Sequence, residues 1–171
     1  MSGVLKIVSG GQTGVDRAAL DVAIKLGIPH GGWVPAGRRA EDGRVPAFYQ
    51  LKETPLSGYP ERTRRNVVDS DGTLIISRGG LKGGSALTRE LARRNKRPWL
   101  HVDLQRFAVQ EAAERIQEWI QQQRVRILNV AGPRASQDPE IYNLASMVLM
   151  TCFGREKRSD RGSRAGGGKR L

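Results

Sequence analysis

The sequence predicts an α/β fold, a Rossmann-like three-layer αβα sandwich with a mainly parallel sheet. Two observations predict it. Four short apolar runs rich in β-branched residues alternate with amphipathic stretches of helical period. Strands separated by helices pair in parallel, with helices covering both faces of the sheet. Three of these runs also end in a loop of Gly, Ser and Thr that opens directly into a helix.

The first strand is Val4–Ser9 (VLKIVS), which runs into Gly10-Gly11-Gln12-Thr13-Gly14. Val15, Ala18, Ala19, Val22, Ala23 and Leu26 then share one helical face over Val15–Leu26, and Gly27 followed by Pro29 stops the helix. Trp33–Gly43 reads as an extended loop, and Pro46–Leu51 as either a short strand or irregular structure. Pro60–Val68 (PERTRRNVV) carries proline at the first helical position. Gly72–Ser77 is the second strand, Arg78–Gly84 a glycine-rich loop, and Ser85–Asn95 a helix with Ser85 as candidate N-cap. Pro98–Val102 is the third strand and Phe107–Gln123 a long amphipathic helix. Arg126–Val130 is the fourth strand, and Pro139–Cys152 the closing helix.

Composition sets the class. The chain has 171 residues, 38% hydrophobic and 27% charged, which suits one globular domain over 1–153. The longest unbroken apolar run, Met147–Met150, falls far short of the ~20 residues of a membrane span, and no secretory signal is visible. A cytoplasmic protein without membrane attachment is expected. One cysteine, Cys152, forms no internal disulfide, and with His30 and His101 supplies no metal cluster. The formal charge is +12, of which +5 belongs to residues 154–171. That segment has no apolar periodicity and is expected to be a disordered basic tail, serving either as an arm for polyanions or as a solvated tail. The excess on the remaining body favours an anionic ligand.

In a parallel sheet the loops Gly10–Thr13, Arg78–Ser85 and Asn129–Ser136 all lie at the carboxyl edge, where ligands bind. Glycine lets the backbone approach a ligand closely, and the following helix N-termini present free N–H groups. Asp16 and Arg17, Arg62 with Asn66 and Asp69, Arg78 and Arg134 cluster about the same edge, and arginine suits bidentate recognition of phosphate or carboxylate. Alternatives stay open for several of these. Asp16 is either a helix-dipole partner or a ligand contact, Asn129 either a structural or a ligand hydrogen bond, and Arg64, Arg65, Arg93 and Arg94 read as a solvated face. Neither a Walker A sequence nor Gly-x-Gly-x-x-Gly is present, so neither a P-loop NTPase nor an NAD-dependent dehydrogenase is predicted.

The stretch Ile7–Asp21 (IVSGGQTGVDRAALD) resembles the opening motif of the circularly permuted YpsA-like branch of the SLOG superfamily, whose members are described as molybdenum cofactor carriers. Leu51-Lys52-Glu53-Thr54 with Tyr59 and Arg62, Asn66–Thr73, and Asn129–Arg134 with Ser136 continue the resemblance over nearly all of residues 4–150. It implies a Rossmann-like fold with a pocket above the glycine loops for a nucleotide-like or pterin-phosphate ligand. Related phosphoribohydrolases carry Pro-Gly-Gly-x-Gly-Thr-x-x-Glu. Here Ser85 stands for the threonine and Thr88 for the catalytic glutamate, while Glu90 lies about 200° further round a helix. That departure argues against hydrolysis.

The candidate ligand-binding residues are therefore Gly10, Gly11, Gln12, Thr13, Gly14, Asp16, Arg17, Arg62, Asn66, Asp69, Arg78, Gly79, Gly83, Gly84, Ser85, Thr88, Asn129, Gly132 and Arg134, with no catalytic residue and no protein-ligated metal expected. The first reading is a carrier of the molybdenum cofactor (molybdopterin) or a related phosphorylated pterin, homo-oligomeric, serving molybdoenzymes or cofactor-synthesis proteins. The second is a nucleotide-binding sensor or phosphoribohydrolase-like enzyme, with Glu53, Asp69 and Asp71 as the carboxylates to test. A single-strand nucleic-acid binder is the least favoured, because the nine aromatic residues do not interleave with basic ones in a groove-like run.

Overall fold

The computed structural model describes residues 3–154. The strand–helix alternation predicted from sequence is present: β1 (Lys6–Val8), α1 (Val15–Leu26), α2 (Tyr59–Val68), β7 (Gly72–Ser77), α3 (Gly83–Arg94), β8 (Trp99–Asp103), α4 (Val109–Gln123), β9 (Ile127–Ala131) and α5 (Ile141–Phe153). Between α1 and α2 lie five two-residue strands: β2 (His30–Gly31), β3 (Trp33–Val34), β4 (Arg39–Ala40), β5 (Gly43–Arg44) and β6 (Lys52–Glu53).

The main sheet has the order β2-β1-β9-β7-β8, and every pairing in it is parallel. Helix α5 packs between α1 and α4 on one face, while α2 and α3 pair on the other. The two faces differ because strand side chains alternate. Ile7, Leu74, Ile76, Val102, Leu128 and Val130 join α1, α4 and α5 in one apolar core. On the opposite face Thr73 pairs in register with Asn129, and Ser77 with Asp103. The face under α2 and α3 therefore carries polar groups in mid-sheet.

Helix α1 runs over the predicted residues and ends as predicted, with Gly27 left-handed at φ 69° and its N–H turned back to Ala23 and Ile24. Three expectations need correction. Ser85 is not the N-cap of α3, because its amide donates to Lys82 O at 3.1 Å, which puts Ser85 inside the first turn and Lys82 at the cap. Trp33–Gly43 is not merely a loop: β3 pairs in parallel with β6, and β4 and β5 form an antiparallel hairpin. The segment around Pro29 adds a strand, β2, at the sheet edge, too short to show any alternation. Pro46–Leu51 is irregular. The predicted basic tail, past Gly154, lies outside the described residues.

Candidate functional site

From β1 the chain passes through α1 outward to β2, and from β7 through α3 outward to β8 on the other side. These opposed directions leave a crevice at the carboxyl edge over β9, the position where open α/β sheets bind ligands. A cleft of about 270 Å³ lies there. Its walls come from Gly10, Gln12 and Asp16 at the start of α1, from Tyr59, Pro60, Arg62, Thr63 and Asn66 of α2, and from Gly84, Ser85, Leu87 and Thr88 of α3. Asn129–Gly132, Arg134 and Gln137 complete it.

Two glycines are fixed by close approach. A Cβ on Gly10 would sit 1.5 Å from Arg62 Nη1, so only glycine lets this arginine lie across the loop. Gly14 has φ 79°, and a Cβ there would come within 2.3 Å of Pro133 O, so it closes the first loop onto the third.

Of the sequence-predicted residues, Gly10, Gln12, Asp16, Arg62, Asn66, Gly84, Ser85, Thr88, Asn129, Gly132 and Arg134 line the cleft. Gly11, Thr13, Gly14, Arg17, Asp69, Arg78, Gly79 and Gly83 are not among its lining residues. Several of these have other work. Arg17 donates to Gly11 O at 2.8 Å and grips Asp42 with two bonds of 2.9 Å. Arg78 grips Asp138 at 2.8 and 2.6 Å and Glu140 at 2.6 Å, tying β7 to the approach of α5. Asp69 accepts from Trp33 Nε1 at 2.8 Å, and the Gly79 amide donates to Asp103 at 2.7 Å.

Within the cleft, side chains divide into fixed and free. Asn66 accepts from Trp33 N at 2.8 Å and donates to Trp33 O at 3.1 Å, so it clamps β3 to α2. Asn129 Nδ2 donates to Thr73 Oγ1 at 3.2 Å, and Thr88 Oγ1 donates to Gly84 O at 2.8 Å. Gln12 Oε1 accepts from the amides of Thr13 and Glu41 at 3.0 and 2.9 Å, which leaves its NH₂ for a ligand. The Ser85 hydroxyl, the Tyr59 phenol and the Gln137 side-chain amide have no hydrogen-bond partner among the described residues.

The electrostatic centre is the buried pair Asp16–Arg62, Nη1 to Oδ2 at 3.1 Å, with the Gln12 amide also donating to Oδ2 at 3.2 Å. Burial pushes the Asp16 carboxyl up, against the pull of Arg62 and the Gln12 amide. Arg62 lies over the Tyr59 ring at 5.3 Å, and its Nε is buried with no partner. That N–H is closed off from the cleft as well as from solvent, so a buried donor left unmade, at about 1–3 kcal/mol, is a cost carried by the fold and not a contact offered to a ligand.

Asp16 is the one carboxylate among the lining residues, and it is committed to Arg62. Glu90 is held outside by Arg93 and Arg94. Glu53 accepts from the Gly37 amide, and Asp71 from the Arg126 and Ile127 amides. None of these is among the lining residues. No group of three or more His, Cys, Asp or Glu able to hold a metal ion occurs among the described residues, and no helix there is long and apolar enough to cross a membrane.

Sequence reasoning missed Glu41. It sits at the tip of the β4–β5 hairpin and accepts from Ser136 N at 3.0 Å, from Ser136 Oγ at 2.5 Å and from Thr13 Oγ1. Burial works against its charge, but the Ser136 and Thr13 hydrogen bonds and nearby Arg134 outweigh it and hold the carboxyl below its ordinary value. Nothing in the run Gly37–Arg44, which looks solvated, signals this contact.

Fold and site together define a Rossmann-like α/β protein with a polar cleft at the switch point of its sheet. The chain belongs to the circularly permutated YpsA SLOG family, whose model matches residues 7–153. It is similar to a protein from Syntrophus aciditrophicus, provisionally named a molybdenum carrier protein, whose crystal structure at 1.45 Å superposes with a TM-score of 0.88. The two are 57% identical over 88% of this chain and 96% of that one. Comparison with curated proteins gives no match.

Proposed function

We propose that this protein binds and carries the molybdenum cofactor or a related phosphorylated pterin in the cleft over β9. The observation that carries the reading is the polar cleft at the switch point of the sheet, lined by Gln12, Ser85, Asn129 and Arg134, in a chain 57% identical to a protein named for molybdenum carriage. The ligand is cargo. Its metal would arrive held by the ligand's own dithiolene, consistent with lining residues that include no His or Cys. The Gly84 amide in the first turn of α3, with Arg134, would take the anionic end. Gln12 Nε2, the Ser85 hydroxyl and the Tyr59 phenol would meet the polar edges of the heterocycle. The same reading makes the protein a cytoplasmic homo-oligomer that hands its cargo to molybdoenzymes or cofactor-synthesis proteins.

The test is native mass spectrometry and ultraviolet absorbance of protein purified from cells supplied with molybdate, alongside the S85A/R134Q double variant. A co-purifying pterin with stoichiometric molybdenum, lost in the double variant, supports the carrier reading. A nucleotide mass in its place transfers the site to a nucleotide sensor or nucleotide-processing enzyme. Empty protein that binds neither added pterin phosphate nor molybdate refutes the proposal.

A further inference from the structure

Of the arginines Arg17, Arg62, Arg78 and Arg134 that the sequence places at the anion edge, all but one are held by the chain's own carboxylates. Arg17 holds Asp42, Arg62 holds Asp16, and Arg78 holds Asp138 and Glu140, all at 3.1 Å or less. Arg134 differs. Its Nε is 3.8 Å from Glu41 Oε2, beyond hydrogen-bond distance, and its side chain is 40% exposed.

The reason is geometric. Glu41 Oε1 accepts from Thr13 Oγ1 and Ser136 N, and Oε2 from Ser136 Oγ. Those three bonds hold a planar carboxylate whose Oε2, with a lone pair still open, stops short of Arg134. A tetrahedral oxyanion carries a third oxygen out of that plane. A backbone amide, two hydroxyls and a guanidinium converging from the first and third glycine loops are the donor set such a group requires.

We infer that Thr13, Ser136 and Arg134 form a subsite for a tetrahedral oxyanion, phosphate or molybdate in type, which Glu41 fills from within and which the ligand's anionic group takes by displacing Glu41. The inference rests on the proposed binding of an anionic ligand in the adjoining cleft, to which Arg134 belongs. The exchange replaces one anion by another on the same donors, so its cost is the release of the hairpin tip. That tip is held by Glu41 N–H on Gln12 Oε1 at 2.9 Å and by Asp42 on Arg17. The hairpin itself is only two residues on each side, Arg39–Ala40 and Gly43–Arg44, so it can lift without disturbing the main sheet. Glu41 thereby sets the affinity of the subsite and excludes weak anions.

The test is titration calorimetry with inorganic phosphate and, separately, with molybdate on the wild type, E41Q and R134Q. Hydrogen exchange of residues 39–44 in the wild type at saturating anion accompanies it. E41Q is expected to bind roughly tenfold more tightly, about the worth of one charge-assisted hydrogen bond no longer competed away, and R134Q more weakly. The 39–44 amides should exchange faster with anion bound, a readout that needs no variant. Which of the two anions gains more from E41Q assigns the subsite to phosphate or to the metal oxyanion. Equal affinity of wild type and E41Q, or a hairpin better protected with anion bound, overturns the displacement while leaving the anion-binding reading intact. Binding of neither anion by any form removes both.

Discussion

Arg38 offers the sharpest test of how the cleft's outer wall is built. It is buried, and no carboxylate is paired with it. Its guanidinium instead donates to four backbone carbonyls, Val45 O at 3.0 Å, Leu51 O at 3.2 Å, and Pro46 O and Tyr49 O at 2.8 Å each. The segment 46–51 has no ladder of its own, so this one side chain stands in for a strand partner. Arg38 is also left-handed, at φ 54°. Removing the side chain strands the buried Val45 O, at about 1–3 kcal/mol, whereas Tyr49 O keeps its bond from the Leu51 amide at 2.9 Å and loses only one of two donors. Relief from burying an unpaired charge offsets part of that loss. The net expectation for R38A is a loss of about 1–3 kcal/mol, against a typical total of roughly 5–15 kcal/mol, so the variant folds. R38G should lose about 1 kcal/mol less than R38A, because glycine carries no left-handed penalty. Urea unfolding checks both, read at constant m-value. An R38A variant within about 0.5 kcal/mol of wild type, the range of an ordinary surface substitution, would refute the assignment of Arg38 as the organiser of this segment.

Three further outcomes follow from the same geometry. Gly10→Ala drives a Cβ to 1.5 Å from Arg62 Nη1, so the flexible end of that side chain must swing off Asp16, lowering stability by about 1.5–3 kcal/mol, the worth of a charge-assisted hydrogen bond, and abolishing ligand binding. Calorimetry with pterin phosphate and denaturant unfolding check the two effects. Asp138 is held below the ordinary carboxylate value by Arg78. Its folded form thus binds a proton less readily than its unfolded form, so its contribution is complete above the unfolded value near 3.8 and is lost as pH falls through the folded one. D138N should be less stable at neutral pH and show a shallower acid limb in Tm against pH. Asp21 accepts from the phenols of Tyr49 and Tyr142 at 2.5 Å each. Burial and then Asp21 push Tyr142 up to about 12, and Tyr49 higher still. Ultraviolet titration should find two of the three tyrosines resisting ionisation until the protein unfolds, and D21N should bring both down.

The parts of the fold legible in the sequence are those fixed by local period. Val15–Leu26 was readable to the residue because its apolar stripe, its glycine stop and Pro29 all agree. Gly72–Ser77 was readable because its centre, Leu74-Ile75-Ile76, is an apolar run buried on both faces of the sheet. The region 30–53 was not, because its strands are two residues long and a period needs at least two repeats to be seen. Its order comes from Arg38, Asn66 and Glu41, each acting on residues distant in the chain.

The same distinction separates the candidate site's residue types from their partners. Glycine loops at three strand ends were legible, and they do converge on one cleft. Which arginines face a ligand was not, because an arginine's availability depends on the carboxylate it meets, and Asp42, Asp138, Glu140 and Glu41 come from segments with no recognisable motif. The positive charge of the body therefore overstates the field within the cleft. Under the proposed function, ligand choice would rest on what that pairing leaves at the cleft: the Asp16–Arg62 pair in its wall, and a guanidinium held short of its partner at Arg134. A phosphate that needed only net charge would bind elsewhere on so basic a surface. A ligand that used both at once would have to place a polar edge against the Asp16–Arg62 wall and an oxyanion against Arg134, and on the proposed reading that two-point demand, more than the charge, would be the basis of selectivity.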